Sequence, residues 1–195
     1  MTTYADADIL HSPSFLSPTE AEHALVQLRD ETAWGQHVIQ LFGRPVNAPR
    51  LSSWHGDADA RYTYSGLQLE PQPWTPLLAS LRQRISTELA TPLNSALLNY
   101  YRDGRDSMGW HSDDETELGD ESCIVSLSLG ARRRFLLRHK SRKELDTLEF
   151  QLGHGDLLAM RGSTQHYWKH QVPKTQRPVG ERINITFRHL HSRET

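Results

Sequence analysis

The chain has 195 residues, of which 36% are hydrophobic and 24% charged, with a formal net charge of −2 at pH 7. This length predicts one domain, residues 1–195 with 1–16 as an N-terminal extension, and a real hydrophobic core. The charge excludes a protein coated with positive charge, and no apolar run approaches the roughly 18 residues of a membrane-spanning helix. Because the N-terminus has no basic region followed by an apolar stretch, we expect no secretory signal. We also expect a monomer without a membrane partner, located in the cytoplasm, or in the nucleus of a eukaryote.

The first half of the chain predicts two helices. Ser17–Glu20 fits a capping box with proline at the first helical position, and apolar residues at helical spacing then predict a helix from about 18 to 30. Thr75-Pro76 opens a second amphipathic helix, which Pro92 should stop.

After Pro92 the apolar spacing changes to two, which predicts strands. Cys123 begins one of them, and we interpret it as a buried core thiol in a reducing compartment. Two early helices followed by six to eight strands favour an α+β domain, with antiparallel strands in a barrel or sandwich and the helices packed on one side. The predicted strands are "ALLNYY", "CIVSLSL", "RRFLLRH", "DTLEFQL", "GDLLAMRG" and "RINITFRH".

The charges are unevenly distributed along the second half. Residues 111–121 hold six carboxylates and no Lys or Arg, whereas residues 132–143 hold seven basic side chains and no acid. A basic run of this kind is either a solvated face or a local contact for phosphates, and the sequence leaves both interpretations open.

A His-x-Asp triplet is the first candidate for a metal site. On a strand, His111 and Asp113 would point to the same side and present one nitrogen and one oxygen to a single ion. The triplet alone is a weak signal, because it recurs at His55-Gly56-Asp57 and at His154-Gly155-Asp156. Those two copies have glycine at the centre, which predicts turn or surface positions.

A second histidine would complete a two-histidine, one-carboxylate site for iron, which leaves positions open for substrate and oxygen. His166 and His170 are the candidates, and we favour His170. In isolation, a surface histidine in a lysine-rich turn is the simpler interpretation of either one.

The last predicted strand carries polar residues on one face and apolar residues on the other. Arg182, Asn184 and Arg188 share the polar face, which must look into a wet cavity or out to solvent. The Cα atoms of these two arginines, six residues apart, would lie roughly 20 Å apart on a straight strand that rises about 3.3 Å per residue. Their long side chains could grip the two ends of a short dicarboxylate such as a five-carbon keto diacid. Asn99 and Tyr101, on one face of an earlier strand, could add hydrogen bonds to the same ligand.

Together, these stretches resemble the AlkB family of iron(II)- and 2-oxoglutarate-dependent dioxygenases, and are most similar to the branch that repairs alkylated DNA bases. The resemblance runs from about Phe42 to Leu190 and implies a double-stranded β-helix, the jelly-roll barrel that the strand pattern already favours. The matching stretches are, in order, "PRLSSWHGD", "YTYSGLQLEPQPW", "LLNYYRDGRDSMGWHSDDE", "IVSLSLGARRRFLLRHK", "HGDLLAM", "HQVP" and "ERINITFR".

The resemblance implies that His111, Asp113 and His170 bind Fe(II), and that O2 is the co-substrate. It further implies the removal of N-methyl groups from 1-methyladenine or 3-methylcytosine, in DNA or also in RNA, with release of formaldehyde, succinate and CO2. Which arginine takes which carboxylate of 2-oxoglutarate stays open. The implied 2-oxoglutarate ligands are Asn99, Tyr101, Arg182, Asn184 and Arg188.

Such a methyl group lies on the pairing edge of the base, so the base must leave the duplex stack before it can react. The resemblance implies that Tyr64 stacks on the flipped base opposite His111, with Tyr62 and Trp54 as nearby walls. Phe42 resembles an apolar finger that fills the gap left in the duplex. For these aromatic residues, ordinary core packing is the alternative interpretation.

Polar contacts with the substrate are implied as well. Asp114 and Glu115 would accept hydrogen bonds from the exocyclic amine of adenine or cytosine, and Arg50 is a further expected substrate contact. The basic run 132–143 falls where the family has a loop that grips DNA.

Two other functions remain open from the sequence. One is an oxygenase of the same fold that acts on protein, lipid or a small molecule, against which the aromatic stretch 54–64 and the basic run both argue. The other is a protein that binds damaged bases without turnover, against which the complete set of iron and 2-oxoglutarate ligands argues.

Overall fold

A computed structural model describes residues 4–41, 44–60, 62–64, 67–119 and 121–191; for residues 39–41, 62–64 and 67–69 it describes the backbone alone. No helix within these ranges is both long enough and apolar enough to cross a membrane.

The two predicted helices are present. α1 spans Pro18–Glu31, and the capping box forms as predicted: the Glu20 N–H donates to Ser17 Oγ at 3.3 Å, and the Ser17 N–H donates to Glu20 Oε2 at 2.8 Å. α2 spans Pro76–Leu89, and it ends at Ala90, which adopts a left-handed conformation with φ 49°, before Pro92 is reached. A short third helix, α3, spans Thr164–Tyr167, and a 3-10 turn spans Thr116–Leu118.

The six predicted strands are confirmed, and the structure adds others before and between them. The strands of the described residues are β1 (Asp8–Ser12), β2 (Val38–Leu41), β3 (Arg44–Asn47), β4 (Leu51–Gly56), β5 (Tyr62–Tyr64), β6 (Leu67–Leu69), β7 (Ser95–Tyr101), β8 (Met108–His111), β9 (Ile124–Gly130), β10 (Arg133–His139), β11 (Leu148–Leu152), β12 (Leu157–Arg161), β13 (Trp168–Val172) and β14 (Arg182–Arg188).

The strands form two main antiparallel sheets. The major sheet has the order β1-β12-β9-β14-β7-β4, and the minor sheet has the order β11-β10-β13-β8. β1, from the expected N-terminal extension, pairs with β12. The hairpins β2–β3 and β5–β6 form separate two-stranded sheets. Apolar residues of both main sheets pack together in one core, so the sheets face each other as in a double-stranded β-helix.

A second core lies on the outer side of the major sheet, where α1 and α2 cover it. Ile183, Ile185 and Phe187 of β14 point into this outer core. Because side chains alternate along a strand, Arg182 and Arg188 point the other way, into the space between the sheets. The predicted division of β14 into an apolar and a polar face is therefore confirmed, as is the α+β jelly roll with helices on one side.

Two local predictions need correction. His55 does not lie in a turn or at the surface: it is 3% exposed, because β4 continues as far as Gly56 and carries it inside. The other copy, around His154, does lie in a turn, in which Gly155 has φ +83°. Cys123 is half-buried rather than fully buried, since it precedes β9, and burial raises the pKa of its thiol.

Candidate metal centre and cofactor cleft

Three side chains converge between the two sheets. His111, Asp113 and His170 each offer one ligand atom, and these atoms all lie within 4.8 Å of one another. His111 ends β8 and pairs directly with His170 on β13, with ring centroids 4.2 Å apart. His166, the other candidate, is exposed in α3. The structure thus groups the three residues that the sequence singled out.

The route by which Asp113 reaches this group differs from the prediction. β8 ends at His111, so Asp113 does not share a strand face with it. Instead, Asp113 lies in the following loop, where its N–H donates to Gln165 Oε1 at 3.0 Å. The two side chains are brought together, but not on the shared strand face that the spacing predicted.

The surroundings of the three residues suit metal ligation. Asp113 is 4% exposed and His170 is 5% exposed. His111 Nδ1 lies 2.9 Å from the Gly109 carbonyl oxygen and must carry the proton there, which leaves Nε2 as the ligand atom, 3.7 Å from Asp113 Oδ1. The pKa of His170 is lowered to about 3, mainly by burial and secondly by the neighbouring His111. His170 is therefore neutral at pH 7, as a metal-binding imidazole must be.

Arg188 lies directly beside the group. Its Nη2 is 3.1 Å from Asp113 Oδ1, and both side chains are buried. Burial opposes a charge on Asp113, but the adjacent guanidinium of Arg188 is the main opposing cause, and the pKa of the carboxyl group is held below its ordinary value. The carboxylate is thus kept ionised, which is the form that binds a cation.

Arg182, at the other end of β14, has a different environment. It is 1% exposed, and its Nη2 donates to two neutral groups, Ser128 Oγ and Asn184 Oδ1, each at 2.9 Å. Its Nε and Nη1 have no hydrogen-bond partner among the described residues. Burial lowers the pKa of Arg182 to about 10, so it is still charged at pH 7. A buried guanidinium with unused donors fits a carboxylate ligand such as one end of 2-oxoglutarate.

A cleft of about 430 Å³ extends from the His111, Asp113 and His170 group along the inner face of the major sheet. Phe135 and Met160 supply apolar walls, and Phe135 stacks on the His170 ring with centroids 5.2 Å apart. The predicted cofactor residues that line the cleft are Asn99, Tyr101, Asn184 and Arg188.

A larger cleft of about 1160 Å³ adjoins the first and shares Asn99 and Arg188 with it. Two of the predicted substrate residues, Arg50 and Trp54, line this larger cleft. Arg50 Nε donates to Asn99 Oδ1 at 2.9 Å, and Nη1 donates to the Ser107 carbonyl oxygen at 3.3 Å. Arg50 therefore fixes the side chain that stands between the two clefts.

The two acidic residues after Asp113 have different environments. Asp114 is exposed and forms an ion pair with Lys140 Nζ at 2.9 Å, while Glu115 is half-buried ahead of the 3-10 turn. Their suggested role towards a base stays a prediction.

The predicted aromatic contacts are described only in part. Phe42 lies outside the described residues, as do the side chains of Tyr62 and Tyr64, whose backbone forms β5. The predicted finger and stacking residues therefore stay predictions.

The basic run is less uniform than its sequence indicates. Arg133 is buried and donates to backbone carbonyl groups, and Arg138 lies over the Trp110 ring, with Cζ 4.5 Å from its centroid. Other members form ion pairs with acids, some of them far away in the chain, so much of the positive charge is compensated. These pairs are Arg134–Glu149, Lys140–Asp114, Arg142–Glu144 and Arg142–Asp6.

The sequence did not single out Gln165 or Phe135. Gln165 is 4% exposed and contacts the backbone of Asp113, and Phe135 stacks on His170. The one available signal was that Gln165 comes five residues before a candidate ligand, and glutamine at that distance has no distinctive chemistry.

The family profile described as the 2OG-Fe(II) oxygenase superfamily matches residues 8–188. The chain belongs to this superfamily. The predicted likeness to AlkB proteins is confirmed by two curated relatives. It is 40% identical over 187 residues to "Alpha-ketoglutarate-dependent dioxygenase alkB homolog 3" of Mus musculus, covering 92% of the chain and 65% of that protein. It is 39% identical over 158 residues to "DNA oxidative demethylase ALKBH2" of Homo sapiens, covering 78% and 60%. The chain thus spans less than two thirds of the length of these relatives.

Solved structures show the same fold at low sequence identity. "The structure of OsALKBH1" superposes with a TM-score of 0.64 and 17% identity, covering 96% of this chain and 100% of that one. A prolyl hydroxylase from Trichoplax adhaerens, in complex with a peptide fragment of hypoxia inducible factor, gives 0.65 and 13%, covering 93% and 83%. At these identities, the likeness concerns the fold alone.

Proposed function

We propose that this oxygenase uses Fe(II), O2 and 2-oxoglutarate to remove alkyl groups from N-alkylated nucleobases, such as 1-methyladenine and 3-methylcytosine, in DNA. The observation that carries the chemistry is the His111, Asp113 and His170 group at a cleft that Arg188 also lines. Buried Arg182, on the same strand as Arg188, adds two unused donors. Support for the substrate comes from the 39–40% identity to proteins named DNA oxidative demethylase ALKBH2.

His111, Asp113 and His170 would hold the iron, because two imidazoles and one carboxylate leave coordination positions open. Arg182 would pair with one carboxylate of 2-oxoglutarate, and Arg188, beside Asp113, would contact the end nearer the metal. When bound, iron and 2-oxoglutarate would let O2 hydroxylate an N-methyl group: one oxygen atom would enter the methyl group, and the other would enter succinate as 2-oxoglutarate loses CO2. The hydroxylated methyl group then leaves the base as formaldehyde.

The protein contributes binding and orientation. The Gly109 carbonyl group fixes the tautomer of His111, and Arg188 keeps Asp113 ionised. Phe135 and Met160 exclude water from the metal side of the cleft. Arg50 orients Asn99 through a charge-assisted hydrogen bond, so that the amide faces the cofactor cleft in one conformation.

The larger cleft would receive the flipped base. Trp54 offers an aromatic wall there, and Arg50 offers a charged one. We retain Tyr64 and Tyr62 as stacking contacts, and Asp114 and Glu115 as polar ones, on the family resemblance alone. Phe42 is retained on the same basis as the finger that acts on duplex DNA.

Three further features belong to the proposal. Residues 1–195 would act as a single domain and as a monomer, because the described site is formed within one chain. RNA is a second substrate, since the reacting base is flipped out of either nucleic acid. Because the proposed substrate is a nucleic acid, the proposed location is the cytoplasm, or the nucleus if the host is a eukaryote.

The test is formaldehyde release by the purified chain with Fe(II), ascorbate and 2-oxoglutarate. Matched oligonucleotides with one 1-methyladenine or one 3-methylcytosine are compared as single-stranded DNA, duplex DNA and RNA. The proposal expects release that requires both cofactors, and a duplex preference that Phe42→Ala removes while single-strand activity persists.

Two results would contradict the proposal. Succinate formation without formaldehyde, from any strand, would mean a working oxygenase with another substrate, such as a protein or a small molecule. Tight binding of damaged DNA, with neither succinate nor formaldehyde, would identify a protein that only binds the lesion.

A further inference from the structure

The loop that carries Asp113 is held by the segment that precedes His170. β8 ends at His111, whose partner on β13 is His170, and no pair of these two strands lies beyond it, so regular strand pairing does not extend to Asp113. Two side-chain hydrogen bonds take over at this point. The Asp113 N–H donates to Gln165 Oε1, and Ser112 Oγ donates to the Trp168 carbonyl oxygen, both at 3.0 Å.

Gln165 is itself held in place. It is buried in α3, and its Nε2 contacts Met160 Sδ at 3.4 Å. The preceding residue, Thr164, donates from Oγ1 to the Arg161 carbonyl oxygen at 2.6 Å and accepts from the Asp8 N–H at 2.9 Å. The amide oxygen of Gln165 is therefore presented from a fixed support.

We propose that Gln165 is a positioning residue that sets the Asp113 carboxylate relative to His111 and His170. The inference rests on the proposed metal role of these three residues. Asp113 is the one candidate ligand of the group outside a strand, so its placement depends most on contacts from elsewhere. Loss of a hydrogen-bonding partner behind metal ligands typically weakens metal affinity by about 10–100-fold.

The experiment measures Co(II) binding to the full chain by its visible d–d absorption. Gln165→Met keeps the length and approximate volume of the side chain but removes the acceptor, and it should weaken Co(II) affinity by about 10–100-fold. Gln165→Glu keeps an oxygen at the same position and should restore affinity towards that of the unmodified chain. Gln83→Met, on the exposed side of α2, is the matched control and should bind Co(II) unchanged.

A second comparison asks whether Gln165 acts through Asp113. In an Asp113→Ala background, the two histidines alone should bind Co(II) with an affinity that Gln165→Met does not alter. If Gln165→Met lowers affinity equally in both backgrounds, its role is general packing and the inference fails. It fails as well if folded Gln165→Met binds Co(II) as the unmodified chain does.

Should Gln165→Met not fold, Gln165→Asn replaces it, with the same two outcomes, because its amide is one methylene too short to reach the Asp113 N–H. The proposed function fails separately. A chain that binds Co(II) in a Gln165-dependent manner but releases no formaldehyde has another substrate. A chain that binds no Co(II) has no metal centre, and both proposals are then wrong.

Discussion

The two ends of β14 place the same side chain in opposite electrostatic environments. Arg188 lies 3.1 Å from Asp113, so the protein itself supplies the negative charge at the metal end of the cleft. Arg182 donates to two neutral groups and lies over the Tyr101 ring, with Cζ 5.3 Å from its centroid, and two of its nitrogens have no hydrogen-bond partner among the described residues. One end is thus compensated within the chain, while the other is arranged for the charge of a ligand. Substitutions near each end of β14 should therefore have different effects on metal binding, cofactor binding and stability.

Asp113→Ala should abolish turnover, because it removes the single carboxylate from the candidate metal group and the partner of Arg188. Formaldehyde release should be lost, and the Co(II) affinity, measured by visible absorption, should fall to that of the two histidines alone. Asp146→Ala, at an exposed position, is the matched control and should retain both signals. Normal turnover by Asp113→Ala would show that the metal assignment is wrong.

Arg182→Met should separate cofactor binding from stability. Truncating one partner of a buried charge pair costs about 2–5 kcal/mol, so the KM for 2-oxoglutarate should rise by at least about 30-fold. Without 2-oxoglutarate, replacing a buried, uncompensated charge with an apolar side chain should leave the free energy of unfolding unchanged or raise it by about 1–4 kcal/mol.

Urea unfolding with and without 2-oxoglutarate checks both parts of this second prediction. The cofactor should stabilise the unmodified chain and have little effect on Arg182→Met. Arg134→Met, which removes an exposed arginine paired with Glu149, is the control and should behave as the unmodified chain. An unchanged KM in Arg182→Met would mean that the carboxylate binds elsewhere.

Arg50→Ala tests the point where the two clefts meet. Without its hydrogen bond from Arg50, Asn99 is free to rotate, and the loss of about 1 kcal/mol should raise the KM for 2-oxoglutarate by about fivefold. Kinetics with saturating oligonucleotide would measure this change. An effect as large as that of Arg182→Met would mean that Arg50 contacts the cofactor directly.

Lys140→Ala should have the smallest effect, because its ion pair with Asp114 is partly exposed. Such pairs contribute about 0–1 kcal/mol, so the midpoint of urea unfolding should hardly move. The affinity for undamaged DNA, measured at two salt concentrations, shows whether Lys140 is also a phosphate contact: its loss should then reduce the salt dependence. An unchanged salt dependence would assign Lys140 to the ion pair alone.

Features that depend on nearby residues could be predicted from the sequence. The capping box of α1 and the two faces of β14 follow from spacings of three and two residues, and both are present. We favoured His170 over His166 as the second histidine, and the structure groups His170 with the other two residues.

Features that depend on distant residues could not be predicted. Arg142 pairs with Asp6, 136 positions away, and Gln165 contacts Asp113 across 52 positions. No periodicity in the chain encodes such contacts. His55 was assigned to a turn from the glycine beside it, but its strand is fixed by pairing with β7, which local composition does not reveal.

All seven residues of β14 are buried, because one face of the strand packs in the outer core and the other lies between the two main sheets. Because alternate residues face opposite sides, inserting or deleting one residue within the strand would exchange its two faces. Arginine would then enter the core beneath the helices, and isoleucine would enter the cofactor cleft. The strand is therefore intolerant of any change in length, and insertions can be accommodated only outside it, for example in residues 173–181.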